Sequence, residues 1–337
     1  MTERRLSEGD ISEDGEGEQG RHWTIAPLLI HIGFHKTGST WLQKSFLNDP
    51  SRGFSHAHAE GKRRDIARVL AEPDPLCFDP REARAHFSGY LDALRESEVT
   101  PVISHEILSG YPSSGGRDRC MIADRLRATF PEARVLMVIR EQRAMIRSMY
   151  GQHVKAGGAE SLRRYITKPM LARGLRPLLS LQYFEYDRLI MYYQALFGPD
   201  RVLALPLELL ARQPQDFADR IAAFCGHAPA LVKDTRPRNT RDPLPIYYFM
   251  RLINFLFYHN ELSPGALVDL PALHFGVKRL SAGLRDYSPR WLDEIIEGRQ
   301  RREIELRVGN HYTESNLRTA KLMDLPLAEY GYTVAPI

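Results

Sequence analysis

Apolar positions along the chain fall into two periods. Short continuous apolar runs at 28–32, 99–104, 134–140 and 201–205 read as buried strands. Between them, apolar residues at helical spacing predict helices over 81–97, where Phe87, Leu91 and Leu94 line one face, and over 118–130, 141 to about 155, 183–197 and 217–225. A short helix is expected at 207–210. Strand and helix alternate, so the expected fold class is α/β: a doubly wound parallel sheet flanked by helices. Residues 51–80 mix His56, His58, Lys62, Arg63 and Arg64 with prolines and read as an excursion with one short helix. Residues 159–181 read as a basic connector and 259–287 as a loop-rich insertion, followed by a charged helix from Trp291 to Arg307.

One predicted helix breaks the alternation of apolar and polar faces. Ile246 to Tyr258 carries Tyr247, Tyr248, Phe249, Phe255, Phe257 and Tyr258, interrupted by Arg251 and Asn254. It is too short to span a bilayer. Core packing is the expected role, with a peripheral membrane contact or an acceptor-binding surface as the competing ones.

Composition narrows the class. With 337 residues, 43% hydrophobic and 26% charged, the chain is long enough to bury a full core. Residues 1–22 hold seven acidic and three basic side chains among Gly and Ser, which predicts a disordered tail. Without them the remainder holds 43 basic against 35 acidic groups, an excess that suits a polyanionic ligand. No aromatic-basic repeat or zinc-finger spacing favours nucleic acid. Neither a signal peptide nor a stretch of roughly 18 apolar residues is present, so the cytoplasm is the expected compartment. Cys77, Cys120 and Cys225 are too few and too scattered for a disulfide framework or zinc site and are expected to be small buried residues. His56 and His58 lack partners at metal-ligand spacing and are expected to be solvated; no metal is expected. His153, Arg143 and Arg147 are expected at the surface.

The chemistry concentrates after the first strand. Leu28-Leu29-Ile30-His31-Ile32 leads into Gly33-Phe34-His35-Lys36-Thr37-Gly38, and Ser39-Thr40 opens a helix. Two glycines let backbone N–H groups crowd around an anion, and the helix start adds donors. Gly33 and Gly38 match the nucleoside-triphosphatase pattern, but Ser39 stands in its lysine position and the lysine has moved into the loop at 36. Ser104-His105-Glu106 follows the second of the runs above. Ligands of parallel sheets bind beyond the carboxyl ends of strands, so this tripeptide should face the same crevice and supply a base. A helix start, with Ser104 as N-cap, is the competing reading.

These residues resemble the PAPS-dependent sulfotransferase family, and Ser-x-Glu at a strand end looks like its carbohydrate-type branch. A second stretch carries the same resemblance: Arg140 ends the strand 134–140, and Ser148 lies two turns into the next helix. The resemblance implies a P-loop-type sheet in a single domain, residues 23–337, with a donor-binding half at about 27–155 and a helical, acceptor-side remainder. It implies 3′-phosphoadenosine 5′-phosphosulfate (PAPS) as donor, with His35, Lys36, Thr37, Gly38, Ser39 and Thr40 around its 5′-phosphosulfate and Arg140 and Ser148 on its 3′-phosphate. Lys36 would stabilise the leaving oxygen, and Glu106 or His105 would take the acceptor proton. A late basic loop closes over the nucleotide in this family, which makes Arg236, Arg238 and Asn239 candidates. The resemblance implies an acceptor hydroxyl or amine, on a carbohydrate, lipid or small alcohol. The rival readings are a P-loop kinase or NTPase and a non-catalytic nucleotide-binding module. The closing segments at 310–317 and 325–332 resemble the family's ending and are expected to pack rather than react.

Overall fold

A computed structural model describes residues 27–57, 63–112, 115–167, 179–229, 231–232, 243–259, 262, 267–283 and 289–335. Arg236, Arg238 and Asn239, His58 and the acidic tail lie outside the described residues. Among the described residues, five strands form one wholly parallel sheet: β1 Leu29–His31, β2 Phe54–His56, β3 Thr100–Ser104, β4 Arg134–Ile139 and β5 Val202–Pro206, in the order β2-β3-β1-β4-β5. β1 is central and wholly buried, as are Val135 to Ile139 of β4. Burial on both faces is why these runs are apolar throughout rather than alternating.

The helices, in chain order, are α1 Ser39–Trp41, which runs on as a π-helical segment over Leu42–Phe46, α2 Arg63–Ile66, α3 Pro80–Ala93, α4 Arg119–Thr129, α5 Gln142–Lys155, α6 Leu162–Thr167, α7 Tyr186–Phe197, α8 Leu207–Arg212, α9 Pro214–Cys225, α10 Leu244–Phe257, α11 Pro271–Gly283, α12 Arg290–Val308 and α13 Thr313–Met323. Local chemistry sets their ends. Asp79 accepts from the Arg81 amide and precedes Pro80 at the start of α3, while Gly226, at φ 82°, stops α9.

Strand order places the crevice. The chain leaves β1 toward β2 and β3 on one side, and leaves β4 toward β5 on the other. Neighbouring strands whose connections depart in opposite directions open a cleft at their carboxyl ends. The loop after β1 and Arg140 after β4 flank that cleft.

Several expectations need correction. Residues 51–80 contain an edge strand, β2, whose three residues are too few to register as a period. His56, at its end, is buried rather than solvated. Residues 259–287 are not all loop, since they include α11, where Gly276 and the small residues obscured the helical pattern. Cys225 is buried, but Cys77 and Cys120 are exposed, one in a turn and one on the outer side of α4. His153 is buried, its Nε2 3.6 Å from a Glu160 carboxylate oxygen. Arg143 and Arg147 are half-buried because the C-terminal helices pack on α5: Arg143 donates to the Gly309 carbonyl at 3.2 Å and Arg147 pairs with Glu297.

Candidate active site

The loop after β1 begins in register with its neighbour. The amides of Ile32 and Phe34 donate to the carbonyls of Leu136 and Val138 at 3.0 and 3.3 Å, carrying the β1–β4 pairing into the cleft. The chain then turns through Lys36, at φ 66°, and Gly38, at φ 78°. A left-handed conformation suits Gly38, but in lysine it costs about 1 kcal/mol, and such strain persists where the surroundings hold it in place. What holds it is on both sides. The Thr37 hydroxyl donates to the Phe34 carbonyl at 2.5 Å, and Arg140 donates from Nη1 to the Lys36 carbonyl at 3.2 Å.

Those bonds sort the loop's residues. Thr37 is fully buried with its hydroxyl hydrogen spent inside the loop, so its amide rather than its side chain is available to a ligand. Ser39 is also buried, and its Oγ has no hydrogen-bond partner among the described residues. A buried hydroxyl at the mouth of a helix, next to a ring of amides, fits a phosphate oxygen. Lys36 is exposed on the loop, and His35 and Thr40 are half-buried on either side of it.

Gly33 serves a purpose that its sequence does not announce. A Cβ there would lie 2.4 Å from Nε2 of His31 and 3.3 Å from Oγ1 of Thr37, so glycine makes room for a buried ring. His31 is 1% exposed, and burial lowers its pKa from 6.5 to about 4, with Glu106 pulling the other way. It is a neutral imidazole at physiological pH. Its Nδ1 lies 2.6 Å from Oγ of Ser104, which accepts from Nε2 of Gln43 at 3.0 Å. The arrangement that uses these donors fully has the Ser104 hydroxyl donating to Nδ1 and the ring proton on Nε2, under the loop. The sequence does not single out His31 or Gln43, and it offers Ser104 as part of the strand-end tripeptide or as an N-cap, not as a partner of His31. The only signal was a histidine inside an otherwise apolar strand.

The end of β3 meets the same floor. The His105 amide donates to the His31 carbonyl at 3.3 Å, which brings Ser104, His105 and Glu106 beside the loop. Nδ1 of His105 accepts from the Ile107 amide at 3.1 Å, so His105, not Ser104, caps the short 3-10 helix Glu106–Ser109. With Nδ1 committed as acceptor, a neutral His105 carries its proton on Nε2 and has no ring nitrogen left to receive another. The nearer Glu106 oxygen is 3.9 Å from His105 Nδ1, and the two side chains are 14% and 17% exposed respectively.

Arg140 stands at the opposite wall. Its carbonyl accepts from Tyr186 Oη at 2.6 Å. The Glu141 carboxylate caps α5, accepting from the amides of Arg143 and Ala144 at 2.9 and 2.7 Å. That helix start is thereby occupied, and an anion near it must be met by side chains, Arg140 and, two turns on, the half-buried Ser148. Glu208, at the start of α8, accepts from the Glu141 amide at 3.0 Å and from Tyr332 Oη at 3.1 Å. Burial raises its pKa, and Arg140 opposes that rise. Gln142 donates to Asn316 at 2.6 Å. Residues 309–332 thus fix α5 from behind.

Comparisons with known proteins bear on this cleft. A family model described as "Sulfotransferase family" matches residues 27–229, more than half of the chain and all five strands. Among solved structures, the chain is similar to a sulfotransferase from Alicyclobacillus acidocaldarius, at 19% identity and a TM-score of 0.47 over 73% of this chain and 98% of that one. It is also similar to a sulfotransferase domain of the curacin biosynthetic pathway, at 14% identity and a TM-score of 0.38 over 61% and 76%. A sulfotransferase domain of a Synechococcus olefin synthase gives 15% identity and a TM-score of 0.37 over 63% and 78%. No curated protein sequence matches.

Proposed function

The chain belongs to the sulfotransferase family, and from that premise we propose that it takes the sulfuryl group from PAPS and passes it to a hydroxyl or amine. The enzyme is a transferase whose acceptor substrate the family implies without identifying. In this reading residues 27–155 are the donor-binding half of one domain. The amides of the loop after β1, with Ser39 and Thr40, hold the 5′-phosphosulfate, and Arg140 and Ser148 hold the 3′-phosphate. The observation that carries it is the bond from Arg140 to the Lys36 carbonyl, which joins two stretches 104 residues apart into one cationic cleft.

The donor supplies an activated sulfur. In an in-line displacement the acceptor oxygen bonds to that sulfur while the sulfur–oxygen bond to the phosphate breaks, and the electron pair stays on the phosphate oxygen. Lys36 and the loop amides meet that new charge, and their geometry is fixed beforehand by Thr37 and Arg140. Glu106 takes the acceptor proton. The committed Nδ1 of His105 supports Glu106 in this role, with His105 as its neighbour. Burial keeps His31 neutral beneath the loop, so the cationic charge facing the anion comes from Lys36 and Arg140 rather than from this ring.

Melting curves with 3′-phosphoadenosine 5′-phosphate, and separately with ATP and magnesium, test the donor. Selective stabilisation by the former is expected, and selective stabilisation by ATP would overturn the reading. Labelled PAPS and an extract of acceptor molecules then test transfer itself: binding without any labelled product would leave a nucleotide-binding module.

A further inference from the structure

Large apolar side chains left in water are concentrated in one region. Among the described residues, twelve of the eighteen exposed large hydrophobics fall between 248 and 295, on α10, the connection after it, α11 and the start of α12. The centre of this region is the pair α10 and α11. Phe249, Leu252 and Phe255 line one face of α10 and are 52–54% exposed, while Phe275 and Leu280 of α11 are 54% and 66% exposed.

This pair is not loosely held. α10 has a separate inner face of Leu244, Tyr247, Met250 and Asn254, all buried. Asn254 donates to the carbonyls of Val154 and Gly158 at 2.8 and 3.0 Å, and its Oδ1 lies 2.7 Å from Nδ1 of the buried His274 of α11. One asparagine therefore clamps both helices to the end of α5. Tyr258 stacks on His274 with ring centroids 4.1 Å apart. The exposed aromatic and leucine residues are a second set, presented outward by a fixed scaffold.

Charge selects among the occupants such a face could take. Neither α10 nor α11 contains an acidic residue, whereas Arg251, Lys278 and Arg279 are basic; the acidic residues of the stretch, Glu261, Asp269, Asp286, Asp293 and Glu294, lie outside these two helices. Asp269, in the connection, accepts the His259 amide. Two copies of this face brought together about a two-fold axis would set like charges against one another. The acidic residues 1–22 complement the charge but offer too few apolar side chains to cover this area. A surface that is both apolar beneath and anionic at its edge satisfies both properties at once. We propose that the α10–α11 face docks on an anionic lipid bilayer, with Phe249, Leu252, Phe255, Phe275 and Leu280 entering the headgroup boundary and Lys278 and Arg279 meeting the lipid phosphates. The docking is peripheral: no helix among the described residues is long and apolar enough to cross a membrane.

The test is co-sedimentation of the full chain with vesicles of phosphatidylcholine alone and of phosphatidylcholine mixed with phosphatidylglycerol. Stronger binding to the mixed vesicles, weakened by salt, is expected. The exposed pair Phe255→Ser with Phe275→Ser should lower the partition coefficient by about tenfold or more. Lys278→Glu with Arg279→Glu should lower it about tenfold on mixed vesicles only. Melting temperatures of both variants close to that of the parent chain show that folding is intact. No preference for the mixed vesicles, or unchanged binding by either folded variant, would overturn the proposal. So would a dimer in solution that the Phe255 and Phe275 substitutions dissociate, which would make the face a self-association surface. None of these readouts depends on the donor or on turnover.

Discussion

The guanidinium of Arg140 donates to the main-chain carbonyl of Lys36 across 3.2 Å. One residue thus shapes the loop that carries the other. Lysine at 140 has neither the reach in two directions nor the planar fork. Arg140→Lys should raise the donor KM about tenfold to a hundredfold, with a smaller fall in kcat. Lys36→Ala should instead lower kcat, by about a hundredfold or more, because its charge is needed when the phosphate oxygen departs. Initial rates over a range of donor concentrations separate the two.

Glu106→Gln keeps shape and removes the basic oxygen. Turnover should fall about a hundredfold to ten-thousandfold, while the melting-temperature rise with 3′-phosphoadenosine 5′-phosphate stays as in the parent chain. His105→Ala should retain more activity than Glu106→Gln. It loses the cap on the 3-10 helix, costing about 1 kcal/mol in urea denaturation.

Stability should fall in mild acid through His31. The folded ring takes a proton only near pH 4, the unfolded one near 6.5. Between these values the unfolded state binds more protons, so stability declines as the pH drops through that window, by up to about 3 kcal/mol at its lower end. Above pH 6.5 the ring contributes no slope. Urea midpoints against pH for the parent chain and for His31→Asn check this: the variant should be less stable overall but flatter across the window.

The two loop glycines should fail for different reasons. Gly33→Ala drives a methyl into a buried ring that packing holds on every side and should cost about 1–3 kcal/mol. Gly38→Ala retains a left-handed backbone, at about 1 kcal/mol, and meets only the flexible end of Leu207. A Gly33→Ala, His31→Ala double variant should be more stable than the sum of the two losses predicts, as urea denaturation of the four chains would read.

Much of this was legible in the chain because the relevant elements are both long and local. Strands 134–140 and 201–205 and helix α5 announce themselves by uninterrupted or evenly spaced apolar residues, and the loop at 33–40 by glycines around a lysine. β2 stayed hidden because three residues make no period, and its pairing is decided by β3, with His56 in register with Val102, 46 residues along the chain. The partners of α5 stayed hidden for a related reason. Nothing in Arg143 or Arg147 says that Gly309 and Glu297 will lie beside them, since helix-on-helix packing is settled by the whole chain. The segment at 246–258 was half legible: its aromatic content was plain, but which residues face inward depends on where Asn254 finds its partners.

The bracing of α5 by Gly309, Asn316 and, through Glu208, Tyr332 has a consequence in time. During synthesis the loop, its lysine and the arginine opposite leave the ribosome long before the residues that immobilise the arginine's helix. A partly made chain therefore carries the loop, the lysine and the arginine without the backing that aligns them, and competence waits for residues 309–332 to emerge.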